Sequence, residues 1–154
     1  MTIDSCQFQF AVSVAKFSWN FQLKYRLDEL AKLSADLGLV SRRVDADRLD
    51  VVIHDGCVLA FCNNIDDGDT LVGFEGTPWH SHGLVQFGTG DSTYVEYDEL
   101  DILIALGNGD LVVVSEYSDG KLRNRELAHR QEPLDLRYLK PGDEIRVFQV
   151  PGRK

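Results

Sequence analysis

His80-Ser81-His82 is the spacing in this chain with the clearest chemical potential. On a strand, residues i and i+2 share a face, so two imidazoles placed this way can present two nitrogen ligands to one cation. Glu75 lies nearby as a third donor, while His54 and His129 are elsewhere in the chain. Two histidines alone do not make a site, because a protein-held metal needs at least a third ligand. The competing reading is structural. Pro78, Trp79 and Gly83 surround the pair and make a tight aromatic turn, in which histidines hydrogen-bond backbone carbonyls. That reading is the stronger, so no metal and no other cofactor is expected. No GxSxG nucleophile elbow is present, and Gly107-Asn108-Gly109 lacks the Lys-Ser/Thr tail of a phosphate-cradling loop. Nothing in the residue types points to catalysis.

The second chemical feature is charge. The net charge of −9 over 154 residues is not spread evenly. Residues 44–110 carry fourteen acids and a single base, Arg48, whereas the segments before and after each carry a small positive excess. A block this acidic disfavours nucleic acid and favours a cationic protein partner. The acids expected to reach solvent, from loops or a helix start, are Asp66, Asp67, Asp69, Asp91, Glu96, Asp98 and Glu99. Trp79 and Tyr97, with Tyr94 beside it, are the aromatic anchors expected inside that charged surround. Lys121, Arg123 and Arg125 alternate along a strand and are expected to form a basic stripe on an exposed sheet face.

The elements that must position these residues follow from periodicity. Apolar residues at 8, 10, 12 and 14 predict a strand, and Phe17, Trp19 and Phe21 continue the alternation with its parity switched. Leu23, Leu27, Leu30, Leu33 and Leu37 recur at helical spacing, with Gly38 at a capping position, which predicts a helix near 25–37. Asp55-Gly56 and Asp119-Gly120 each sit between β-rich runs and predict hairpin tips. Asp98 can cap a second helix near 98–106, ended by Gly107. Lys140-Pro141-Gly142-Asp143 predicts a turn into a strand over 144–150. Strands outnumber helices and no βαβ rhythm appears. The expectation is an α+β fold in one domain over 1–154, with an antiparallel sheet built from hairpins and two helices. Three cysteines without a CxxC pair predict reduced thiols, with Cys57 and Cys62 on opposite faces of one strand. No secretory signal and no membrane-length apolar run is seen, so the expected compartment is the cytoplasm.

Gly76-Thr-Pro-Trp-His-Ser-His-Gly83 resembles the first metal motif of the cupin family, and Lys140-Pro-Gly-Asp-Glu-Ile-Arg-Val147 resembles the turn and strand of the second. The resemblance implies a metal-dependent enzyme or small-molecule-binding domain using His80 and His82. It departs from cupins at Gln86, where they place a glutamate ligand, and at the end of the second motif, where the closing histidine is missing. The same pair resembles the HSHP signature of zinc-dependent isopeptidases, with Gly83 in place of the proline. As a whole, the small acidic α+β chain resembles the bacterial immunity proteins of polymorphic toxin systems. That resemblance implies a cytoplasmic protein that sequesters a basic partner, a toxin domain, by covering it with an acidic surface.

Overall fold

The computed structural model describes residues 24–65 and 68–151. The expected strand at 8–14, the aromatic run 17–21, Cys6, Asp66 and Asp67 lie outside the described residues. The elements run α1 (Leu27–Asp36), β1 (Val40–Asp45), β2 (Arg48–His54), β3 (Cys57–Ile65), β4 (Asp69–Phe74), β5 (His80–Ser81), β6 (Val85–Gly88), β7 (Tyr94–Tyr97), α2 (Glu99–Asn108), β8 (Leu111–Ser118), β9 (Lys121–His129) and β10 (Asp143–Phe148). Among the described residues every strand pairing is antiparallel. β1 to β5 form a five-stranded meander, β10-β8-β9 a three-stranded sheet, and β6-β7 a two-stranded ribbon. The α+β class with hairpin-built antiparallel sheets and two helices is therefore observed.

Both Asp-Gly pairs sit at hairpin tips, between β2 and β3 and between β8 and β9. At the second, Asp119 (φ 50°) and Gly120 (φ 79°) both adopt the positive φ that a tight two-residue turn demands. A third hairpin, β1 to β2 through Ala46-Asp47, was not anticipated. Val40 and Val44 on its outer strand are exposed, so β1 offers no buried face for an alternating pattern to mark.

Leu27 and Leu30 turn the buried face of α1 inward, and Leu33 and Leu37 pack against the same core. Asp98 caps α2 through a reciprocal capping box with Asp101. The helix does not stop at Gly107 but continues to a left-handed cap at Gly109. Gly107 serves another purpose: a Cβ there would lie 2.6 Å from Leu37 Cδ2, so its small size lets the two helices meet.

β3 is buried on both faces, which explains its unbroken apolar run. Cys57, Leu59 and Phe61 enter the main core with Leu103, Leu106 and Val113, while Ala60 and Cys62 join Ile65 and Leu71 in a second cluster. The two cysteines thus face opposite ways, as their spacing predicts. Cys57 is a free, buried thiol, pushed up to about 11 by burial. Cys62 is disulfide-bonded, which corrects the expectation of three reduced thiols and removes one argument for a reducing compartment.

Candidate partner-binding surface

The histidine pair sits where β5 crosses the end of the meander, with His80 opposite Gly73 on β4. A Cβ on Gly73 would stand 2.8 Å from the Trp79 carbonyl oxygen, so only glycine lets this segment lie flat on β4. The His80 ring nitrogen Nδ1 contacts the Pro78 carbonyl at 2.9 Å, and His82 Nδ1 contacts the Thr70 carbonyl and lies 3.3 Å from Asp69 Oδ2. Both histidines therefore bond backbone carbonyls, as the structural reading expects. Their rings stand edge to face at 5.4 Å. Among the described residues, no group of three or more His, Cys, Asp and Glu side chains is placed to hold a metal ion. Trp79 is half-buried beside Phe74 and packs against the core.

Folding redistributes the acidic block. Glu99 is 5% exposed and does not reach solvent, which corrects its place among the surface acids. Its carboxylate accepts from the Arg26 backbone N–H at 2.8 Å and from the Arg26 guanidinium at 3.1 Å. An acid in the first turn of α2 thereby caps the start of α1, where the helix dipole favours negative charge. Asp98 pairs with the same guanidinium at 3.1 Å. Asp50, also buried, is held by Arg48 at 2.7 Å and Arg42 at 3.4 Å, and Asp110 faces Arg130 at 3.4 Å. Arg26 and Arg42 precede the acidic block and Arg130 follows it, so the flanks neutralise part of the middle. The expected basic stripe is also corrected. Lys121 and Arg123 are exposed, but Arg125 turns inward and donates to the Gly56 carbonyl at 2.7 Å, tying β9 to the β2–β3 tip.

The ribbon β6–β7 is different. Val85 and Phe87 point into the core, so period two turns Gln86 outward, with Glu96 opposite it and Tyr94 opposite Gly88. Tyr94 is 63% exposed, and Leu84, just before the ribbon, is 45% exposed. Asp91 in the connecting turn and Glu96 on β7 are both exposed, and among the described residues no ion pair reaches either. Asp101, exposed at the start of α2, is committed to the capping box, where it accepts from the Asp98 N–H at 3.0 Å. Tyr97 faces the other way: it is half-buried, its ring lies 5.6 Å from Phe87, and burial, with Asp110 and Asp101 nearby, raises its phenol above the usual tyrosine range. Of the expected site residues, the ribbon brings together Asp91 and Glu96. Asp69, Trp79, Tyr97, Asp98 and Glu99 are committed elsewhere, to His82, the core or Arg26.

Tyr94, Leu84 and Gln86 complete the surface. The alternation Tyr94-Val95-Glu96-Tyr97 held the signal for Tyr94 and Glu96 on one face and Tyr97 on the other, but only with the pairing to β6 in hand. No protein-family model, curated protein or solved structure matches the chain. Among the described residues no helix is long and apolar enough to cross a membrane.

Proposed function

We propose that this chain binds a basic protein partner through the outer face of the β6–β7 ribbon, in the manner of an immunity protein that covers a toxin domain. The observation that supports this reading is the contrast within the acidic block. Asp50, Asp98, Glu99 and Asp110 are matched by arginines, while Asp91 and Glu96 carry unmatched charge around the exposed ring of Tyr94. Unmatched exposed carboxylates steer a cationic partner, and an aromatic ring at their centre supplies contact area that slows departure.

The test is stopped-flow association with the product of the reading frame adjacent to this chain's gene, across a salt series. The Asp91→Lys, Glu96→Lys double variant should slow association by about tenfold or more at low salt, with the effect shrinking as ionic strength rises. Tyr94→Ala should act chiefly on dissociation. Absence of binding, or an on-rate indifferent to both salt and charge reversal, overturns the proposal.

A further inference from the structure

The outer face of the three-stranded sheet carries a second, unrelated oddity. Val114 and Glu116 on β8, Asn124 and Glu126 on β9 and Ile145 on β10 share that face, with Glu116 directly opposite both Asn124 and Ile145, and Val114 opposite Glu126. The connection between β9 and β10 brings Leu134, Asp135 and Leu136 to the same face, and together these eight residues line a pocket of about 130 Å³. The Asn124 Oδ1 atom in its wall is wholly buried and has no hydrogen-bond partner. Glu116 and Glu126 are both half-buried, and among the described residues neither carries an ion pair or a side-chain hydrogen bond. Burial first, and then the neighbouring Glu116 carboxylate, hold the Glu126 carboxyl above the usual range. Asp135 adds little charge to the pocket, because Arg137 grips it through two nitrogens, each at 3.0 Å.

Two half-buried carboxylates and a buried amide oxygen are acceptors to which the described residues bring no donor, a set that suits a cation. A buried acceptor left unmade costs about 1–3 kcal/mol, more when it is charged, so the arrangement is poorly satisfied by the described residues. Val114, Leu134, Leu136 and Ile145 form apolar walls around those acceptors. A bare metal ion would leave the walls unused, whereas an alkyl stem would cover them. We propose that this pocket binds a single ammonium or guanidinium group carried on an aliphatic stem, supplied either by a free amine or by a lysine or arginine side chain. The proposal does not depend on the ribbon, which lies on another sheet, and it stands if the ribbon binds nothing.

The experiment follows the side-chain carboxyl carbons of Glu116 and Glu126 by NMR in the intact chain. It titrates with n-butylammonium, with the uncharged isostere n-butanol, and with a blocked pentapeptide carrying one central lysine, at constant ionic strength. Saturable shifts at both glutamates are expected with the two cations, together with a fall in the Glu126 carboxyl pKa, and n-butanol should bind at least about tenfold more weakly. The tighter of the two cationic probes identifies the source. Glu116→Gln and Glu126→Gln keep side-chain shape and should each weaken binding about tenfold or more, with backbone amide spectra reporting that the fold is retained. Linear, unsaturable shifts, an equal response to n-butanol, or affinity untouched by both substitutions would overturn the proposal.

Discussion

The β6–β7 ribbon and the outer face of the β8–β9–β10 sheet reverse what their surrounding sequence implies. The ribbon belongs to a segment of extreme acidity, yet much of that acidity is spent inside the fold: Glu99 caps α1, Asp98 shares Arg26, Asp50 holds Arg48 and Arg42, and Asp110 meets Arg130. At Asp91 and Glu96, by contrast, the charge stands clear on the ribbon. The C-terminal sheet belongs to a segment with a positive balance, yet its outer face holds Glu116 and Glu126 in a pocket with no base among its described lining residues. Charge counted along a chain is therefore a poor guide to charge in space. What decides is whether the fold carries an arginine to the carboxylate, and that depends on contacts between distant residues.

The sharpest way to break this contrast is to treat a matched acid and an unmatched one alike. Glu99→Ala should destabilise the chain by about 2–4 kcal/mol, because it strips an acceptor from a helix start and leaves the Arg26 N–H and guanidinium without it. Glu96→Ala should change stability by no more than about 0.5 kcal/mol, as expected for an exposed side chain without partners. Urea unfolding of the two variants provides the comparison. Equal effects would show that the division between structural and free acids is drawn wrongly.

Glu126→Gln sharpens the other side with a smaller effect. The folded-state pKa of Glu126 lies above its unfolded value, so the folded chain keeps a proton that the unfolded chain has already released. Stability is therefore lost as pH rises from the ordinary glutamate range through the folded pKa, and the penalty is complete above it. Glutamine carries no such penalty. The variant should melt about 1–2 °C higher than the parent at pH 7 and at the same temperature below about pH 4. A gain that is the same at both pH values would indicate a packing effect in place of an electrostatic one.

How much of this was legible in the sequence follows the range of the interactions. Asp55-Gly56, Asp119-Gly120, the leucine repeat of α1 and the Asp98 cap are local signals, and each marks an element close to its expected place. Glu99 was misjudged because its partner, Arg26, is 73 residues away, and a first-turn acid looks solvent-exposed until that contact exists. Asn63 lies in β3, where its side-chain amide bonds both the N–H and the carbonyl of Tyr25, 38 residues away, a contact that no local signal marks. Arg125 shared the parity of two exposed bases, and only the docking of β9 against the β2–β3 tip turned it inward. His80 bonds the Pro78 carbonyl two residues away, as its local turn suggests, whereas the His82 partner, the Thr70 carbonyl, is 12 residues away on β4 and is supplied by strand pairing.

The most direct test of the central claim, that the unmatched acids Asp91 and Glu96 make the ribbon's outer face the partner-binding surface, is an amide and carboxyl NMR titration with a short oligolysine peptide at low ionic strength. The claim predicts the largest saturable shifts at Asp91, Tyr94 and Glu96, with Asp50, Asp98 and Glu99 little changed. It further predicts loss of that pattern in the Asp91→Lys, Glu96→Lys variant. Shifts spread evenly over every acid of residues 44–110, or centred on the Arg26–Glu99 pair, would contradict it.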